Sequence, residues 1–146
     1  MPTNLYGPND NYNLANSHVL PALIRKAHEA KKRGDRVLVV WGSGKAMREF
    51  LYVDDIADAC VFLIEQGVSD GLFNVGTGED VTIHELAETI KSVVGFQGKI
   101  EFDADKPDGT PRKLLNVDRM RELGWQAQTS LRDGIARTYQ DFLNNY

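Results

Sequence analysis

Residues 36–64, RVLVVWGSGKAMREFLYVDDIADACVFLI, contain the clearest signals of the fold class. The first six residues are a short β-branched run, which predicts a strand, and the Gly-Ser-Gly that follows predicts a turn. Glu49–Val53 is a second strand candidate, and Asp54 stands where the N-cap of a helix belongs. The apolar residues that follow recur on one helical face: Ile56, Ala59, Cys60 and Leu63. Strands and a helix in so short a stretch indicate a mixed α/β chain.

On both sides of this segment, apolar periodicity and capping signals predict the remaining helices and strands. Helices are expected over Ser17–Lys32, after the capping box Thr82–Glu85, over Asp118–Leu123 and over Ser130–Asn144. Further strands are expected over Leu72–Val75 and Lys99–Phe102, with loops over residues 1–15 and Lys106–Lys113. The predicted fold class is α/β (mixed α+β), with residues 1–146 forming one domain. A complete doubly wound sheet would need several more strand–helix units than this length allows.

Composition excludes several function classes. The net charge of −4 comes from 17 basic and 21 acidic residues spread along the chain, which argues against nucleic-acid and membrane-surface partners. No apolar run approaches the roughly 18 residues of a membrane span, and the first residues lack the features of a signal peptide, so a cytoplasmic protein is expected. The single cysteine, Cys60, excludes an internal disulfide and is expected to be inert core. His28 and His84 are expected to be exposed, and no metal site is predicted.

An aromatic residue and a guanidinium lie close together after the first predicted strand. Trp41 could stack on a base and Arg48 could form forked hydrogen bonds with a phosphate. The alternative is a Trp packed in the core and an Arg on the surface, and the two interpretations are equally supported by the sequence. The glycines here form neither a P-loop nor a G-x-G-x-x-G motif.

Three further segments could carry chemistry. His18 stands at a predicted helix start and could exchange protons near neutral pH, although a capping or surface role is the commoner one. Asn4 could bind a ligand or cap its own backbone. The loop Lys106–Lys113 combines three cations and one acid with two prolines, which would lower the entropy lost on closing over a ligand. A solvated charged loop is the alternative.

Five segments together resemble the GDP-L-fucose synthases, which are extended short-chain dehydrogenases/reductases of the NAD-dependent epimerase/dehydratase family. They are PTNLYGPNDN (2–11), NSHVLPALIRK (16–26), VVWGSGKAMREFLYVDDIA (39–57), FNVGTGEDVTI (73–83) and KPDGTPRKLLNVDRM (106–120). MREFLYVDDIA in the third segment and the GTG turn in the fourth recur across sugar-nucleotide epimerases and dehydratases, whereas NSHVLPAL with KPDGTPRK is more specific to fucose synthases. The resemblance covers nearly the whole chain.

The resemblance implies a role for each matching residue. Residues Pro2, Thr3, Asn4 and Leu5 would pass the nicotinamide end of NADP, and His18 would lie beside it. His18 would be the catalytic acid/base that moves protons at the sugar carbons flanking the 4-keto group. The GDP-sugar would contact Asn4, Lys26, Trp41 and Arg48, with the loop around Asp108 and Lys113 closing the site. The implied activity is NADP-dependent epimerisation and reduction of GDP-4-keto-6-deoxy-D-mannose to GDP-L-fucose.

The sequence departs from that family in what it lacks. The family uses a Gly-rich phosphate loop and a Tyr-x-x-x-Lys pair, in which the Tyr donates a proton and the Lys lowers its pKa. No tyrosine here has Lys four residues later, and Cys60 does not match the cysteine that works opposite His18. The chain is therefore expected to be the substrate-binding, carboxyl-terminal part, with residues 1–15 crossing over from a Rossmann half, and to be inactive alone.

Loss of that half would also remove most of the family's homodimer interface. Self-association through the uncovered apolar face, or pairing with a separate Rossmann half, is then expected. Two other hypotheses remain at this point: a stand-alone module that binds a nucleotide-sugar without chemistry, and a non-catalytic interaction domain.

Overall fold

The computed structural model describes residues 1–146. Its helices are α1 (Val19–Arg33), α2 (Val53–Glu65), α3 (Ile83–Val94), α4 (Asp118–Glu122) and α5 (Leu131–Asn145). Its strands are β1 (Asn4–Tyr6), β2 (Val37–Trp41), β3 (Met47–Arg48), β4 (Phe50–Tyr52), β5 (Val81–Thr82), β6 (Lys99–Asp103) and β7 (Arg112–Lys113). The mixed α/β class predicted from the sequence is confirmed. None of the helices has the length and apolar composition needed to cross a membrane.

The larger of two hydrophobic cores, the main core, lies between three helices and residues of the strand pairs β2–β6 and β1–β4. Helix α3 packs between α1 and α5, and β2 packs against α1 while pairing in parallel with β6. This core contains 21 buried residues, among which the following are completely inaccessible: Tyr12, Ile24, Ala27, Leu86, Ala87, Ile90 and Ile135. The apolar positions that recur three and four apart in α1, α3 and α5 therefore bury one continuous stripe each.

A second core is much smaller. It is formed by Leu51, Ala59, Val75, Met120 and Trp125, which come from β4, α2, α4 and the segments beside them. Strand β1 pairs in parallel with β4, and Pro2 forms an isolated bridge with Val75. The start of the chain is thereby tied to the segment after α2.

A three-stranded sheet with the order β5-β3-β7 joins three segments that are distant in the sequence. Strand β3 pairs antiparallel with β5 and parallel with β7, with Arg48 opposite Val81 on one side and Lys113 on the other. This sheet brings the cationic loop before β7 back to β3, although the two strands are far apart in the sequence.

Helix-boundary signals in the sequence are largely confirmed. The capping box is complete, because the Thr82 hydroxyl accepts from Glu85 N and the Glu85 carboxylate accepts from Thr82 N. Gly34 ends α1 in the left-handed conformation at φ 72°, which a residue with a Cβ adopts only at a cost. Ser130 caps α5 by accepting from Asp133 N.

Several local predictions are wrong, among them the loop Lys106–Lys113, which ends in strand β7 (Arg112–Lys113) because these residues pair with β3. Residues 1–15 are not all loop, because β1 pairs with a strand more than forty residues away that local patterning does not reveal. The N-cap of α2 is Tyr52, and Asp54 lies in the first turn instead. Leu72–Val75 forms no strand, and the Leu72 side chain is exposed. Cys60 is exposed, because the buried stripe of α2 passes through Ala59 and turns the neighbouring position outward.

His28 is less exposed than predicted. Its Nδ1 lies 3.0 Å from the hydroxyl oxygen of Tyr139, and its ring packs edge-on against Phe142. The ring therefore joins α1 to α5, whereas His84 is exposed as predicted.

Candidate functional site

Strand β1 is held against the residue that precedes β4. The main-chain oxygen of Glu49 accepts hydrogen bonds from Thr3 Oγ1 at 3.3 Å and from Asn4 Nδ2 at 2.8 Å. Thr3 is buried by this contact, while Leu5 points outward and remains partly exposed. The segment from Pro2 to Leu5 is therefore fixed in place with an apolar side chain on its open side.

His18 shares a hollow of about 230 Å³ with β1 and β3. The hollow is lined by Asn4, Leu5, His18, Val19, Leu20, Pro21, Arg48 and Phe50. His18 occupies the N-cap position of α1, but its side chain makes no capping hydrogen bond and is exposed. The imidazole is therefore free to meet a group in the hollow, and a capping role is excluded.

Trp41 lies in a separate hollow of about 340 Å³ between α1 and β2, which Lys26 also lines. The indole is 61% exposed, so the alternative of a Trp packed in the core is wrong. Lys26 Nζ lies 4.8 Å from the ring centroid, and Lys106 Nζ lies 5.6 Å from it. Burial lowers the pKa of Lys26 below its usual value, because desolvation disfavours the charged form.

Arg48 stands between two hollows. It lines the one that contains His18 and also a polar one of about 350 Å³ formed with Thr77, Arg121 and the segment before α5. Its Nη1 donates to its neighbour's carbonyl, Met47 O, at 2.7 Å. Lys113 is its register partner on β7, so two cations are adjacent on one small sheet.

Asp108 connects the segment after Trp41 with the loop that approaches Arg48. Its carboxylate accepts from Ser43 N at 2.6 Å and from Ser43 Oγ at 2.7 Å. These hydrogen bonds hold the pKa of Asp108 below its usual value. The next residue, Gly109, lies beside the Arg48 guanidinium. The loop before β7 therefore links the turn after Trp41 to Arg48.

The predicted site residues thus form two groups. Asn4, Leu5, His18 and Arg48 line one hollow, while Lys26 and Trp41 line another. No single hollow contains both Trp41 and Arg48, and the contact between them passes through Asp108 and Ser43. Pro2 and Thr3 precede β1 and line neither of these two hollows.

Sequence reasoning missed Glu49. Its side chain is 0% exposed, and its carboxylate accepts from Gly78 N at 2.7 Å and from Leu115 N at 3.1 Å. A Cβ on Gly76 would collide with the same carboxylate. Glu49 thus fastens the Gly-Thr-Gly turn and the segment after β7 to the strand that carries Arg48. A charged residue next to apolar Phe50 in a predicted strand was the only available signal.

Comparison with known proteins decides the family. The sequence profile of the NAD-dependent epimerase/dehydratase family matches residues 1–76 of this chain. The chain belongs to this family. It is 57% identical over 145 residues to GDP-L-fucose synthase 1 of Arabidopsis thaliana and 54% identical over 154 aligned positions to GDP-L-fucose synthase of Escherichia coli K12. In each case 99% of this chain is aligned, but it spans only 45% and 48% of the relative's length.

Solved structures of the same family share the fold. A GDP-L-fucose synthetase from Naegleria fowleri superposes with a TM-score of 0.90 at 36% identity, over 99% of this chain and 45% of that one. The same Naegleria fowleri protein has also been solved with NADP bound. The present chain therefore spans slightly less than half the length of each of these three relatives.

Proposed function

We propose that this chain forms the GDP-sugar-binding portion of a GDP-L-fucose synthase-like, NADP-dependent epimerase/reductase. Such an enzyme converts GDP-4-keto-6-deoxy-D-mannose to GDP-L-fucose. The observation that carries the proposal is the shared hollow of Asn4, His18 and Arg48, together with the exposed indole of Trp41, in a chain 57% identical to a GDP-L-fucose synthase. A proton-transfer group, a cation and an aromatic face are what a nucleotide-linked sugar requires.

His18 is the proposed catalytic residue. An imidazole exchanges protons near neutral pH, and the side chain of His18 is not used in capping α1. Within its hollow it can take a proton from, or return one to, a sugar carbon next to a keto group. Asn4 and Arg48, which line the same hollow, would orient the sugar and its phosphates.

Trp41 and Lys26 are proposed to bind the nucleotide end. The exposed indole offers a flat surface for stacking, and the Lys26 ammonium lies against that ring. Lys113, next to Arg48 on the sheet, and the loop around Asp108 would close the site over the diphosphate.

The cofactor of this proposed activity is NADP, which would supply hydride to the sugar when bound. The residues present fit the nicotinamide end of NADP. Thr3 and Asn4 fix β1 by hydrogen bonds to Glu49 O, and Leu5 offers an apolar side chain in the hollow that contains His18. These residues would position the nicotinamide ring and exclude water from its face. The family's Gly-rich loop and Tyr-x-x-x-Lys pair are not among these 146 residues.

Binding of GDP or GDP-mannose, measured by titration calorimetry, tests the proposal. We expect saturable binding that weakens about tenfold or more in Trp41→Ala and Arg48→Ala, since each removes a stacking face or a charge-assisted contact. Lys32→Ala, an exposed substitution at the end of α1, is the matched control and should leave the affinity unchanged. If both site variants bind as tightly as the unmodified chain, the site is assigned wrongly.

Absence of binding would instead favour a non-catalytic interaction domain. Binding without chemistry describes a stand-alone nucleotide-sugar module, which is the second candidate. Steady oxidation of NADPH in the presence of the keto-sugar nucleotide, followed by absorbance, is not expected from this chain by itself. Observed turnover would refute that part of the proposal.

A further inference from the structure

The 104–111 loop, which joins β6 to β7, is fastened to the 42–44 turn by one carboxylate. Both oxygens of Asp108 are used, one by Ser43 N at 2.6 Å and the other by Ser43 Oγ at 2.7 Å. Gly42 makes this approach possible, because its φ is 85° and a Cβ there would collide with the carboxylate. Asp108 is therefore fully occupied by the protein itself.

Fastening this loop brings a second ammonium group to the indole of Trp41. Lys106 Nζ lies 5.6 Å from the ring centroid, and Lys26 Nζ lies 4.8 Å from it. Because both lie close to one ring, no more than about 10 Å separates the two nitrogens. Neither lysine forms an ion pair with a carboxylate.

Neither positive charge is neutralised by a carboxylate, and burial already disfavours the charge of Lys26. A diphosphate that reaches both ammonium groups gains a charge-assisted contact with each. Arg48 and Lys113 lie at the other end of the same loop, where Gly109 approaches the Arg48 guanidinium. Lys106 in the loop and Lys113 just after it therefore place one cation near each end of the loop.

We propose that Asp108 is a positioning residue, whose hydrogen bonds to Ser43 hold Lys106 at the Trp41 ring so that Lys106 and Lys26 together bind the phosphate groups of the ligand. This inference rests on the proposed function, because it assigns the phosphates of the same nucleotide-linked sugar. It adds Lys106 to the binding residues and makes the contribution of Asp108 indirect.

Quenching of tryptophan fluorescence tests the arrangement without any nucleotide. Trp41 is exposed, whereas Trp125 is buried and donates its indole N–H to Asp58, so Trp41 dominates the quenchable signal. Iodide is an anion that the two lysines concentrate at the ring, and acrylamide is a neutral reference for access. The ratio of the iodide to the acrylamide quenching constant thus reports the positive charge at Trp41.

We expect that ratio to fall roughly twofold in Lys106→Gln, which removes one of the two charges. Asp108→Ala should lower it by a similar factor, because the loop is released and Lys106 leaves the ring. Simple electrostatics predicts the opposite sign, since loss of a negative charge alone would raise iodide quenching. Asp108→Asn keeps one acceptor for Ser43 and should give an intermediate ratio, and Lys32→Gln is the control without effect.

A ratio that rises or stays constant in Asp108→Ala would overturn the inference. Titration with GDP separates this result from the proposed function. If quenching changes as expected but GDP does not bind the unmodified chain, the loop is positioned as described and the proposed ligand is wrong. If GDP binds but neither Lys106→Gln nor Asp108→Ala weakens it by at least about threefold, the proposed function stands and the role of Lys106 is refuted.

Discussion

The two cores of this molecule are built differently. The main core joins α1, α3 and α5 to residues of β1, β2 and β4 through 21 buried residues, with β6 packed against it, while the second core has five. Around the second core, α2 and the segment after it expose large apolar side chains: Val61 at 55%, Ile64 at 77% and Leu72 at 67%. The main core can be stabilised by apolar burial within this chain, whereas the second is too small to rely on it.

Polar ties supplement the second core. Asp55 accepts from Thr129 N and Oγ1, and Asp58 accepts from the indole N–H of Trp125 at 2.8 Å. The buried carboxylate of Glu49 adds hydrogen bonds from Gly78 and Leu115. Hydrogen bonds to Glu49 therefore position the strand bearing Arg48, whereas β4, which follows Glu49, contributes apolar residues to both cores.

Substitutions in the two cores should differ most in their effect on unfolding. Leu86→Ala in α3 should lower the free energy of unfolding by about 4 kcal/mol, because it opens a cavity in the main core. Met120→Ala in the second core should speed hydrogen exchange of α2 and α4 amides while α3 amides stay protected. Denaturant titration and hydrogen exchange measure the two effects. Equal loss of protection in α2 and α3 for Met120→Ala would mean that the two cores unfold as one.

A smaller effect is expected at Glu49. Glu49→Gln should destabilise the chain by about 2 kcal/mol. Gly78 N and Leu115 N donate to different oxygens of the carboxylate, so the glutamine NH₂ group would replace the acceptor of one of these two N–H groups. Glu79→Gln, at an exposed carboxylate nearby that makes no side-chain hydrogen bond, is the control and should change stability by less than about 0.5 kcal/mol. If the two variants unfold at the same denaturant concentration, Glu49 is not the tie described above.

Loss of one helix cap should cost less again. Thr82→Ala removes the hydroxyl that accepts from Glu85 N and donates to the Glu85 carboxylate, leaving only the main-chain half of the capping box, and should lower stability by about 1 kcal/mol. Thr110→Ala, in the exposed 104–111 loop, gives the matched comparison. A Thr82 variant as stable as its control would show that packing of α3 in the main core makes the cap redundant.

The smallest expected effect on stability is at the exposed face of α2. Ile64→Asp should change the free energy of unfolding by less than about 0.5 kcal/mol, because the side chain is exposed already. It should, however, reduce self-association measured by light scattering, since an apolar face of this kind favours contact between copies. A chain that is monomeric before the substitution would contradict the expected self-association.

Local signals in the sequence predicted what local interactions decide. Thr82 with Glu85 and the glycine at 34 were recognisable because capping depends on neighbours within a few residues. Strand β1 was not recognisable, since three residues carry little periodicity and their partner lies beyond α1 and β2. The burial of Glu49 was equally hidden, because its hydrogen-bond donors come from two later turns.

The candidate site shows the same limit. The residue types at 18, 41 and 48 indicated proton transfer, stacking and phosphate binding, and all three side chains border hollows. The division into two hollows, and the link through Asp108 and Ser43, depend on how the loop before β7 folds back. The spacing of residues in the sequence does not reveal that this loop contacts the turn containing Ser43.

Amide and side-chain NMR shifts of the chain during titration with GDP-mannose test the central claim most directly. We expect the signals of Asn4, His18, Trp41 and Arg48 to move along one saturation curve, while those of α2 remain fixed. Unchanged signals at these four residues at saturating ligand, or shifts confined to the exposed face of α2, would contradict the claim that they form one nucleotide-sugar site.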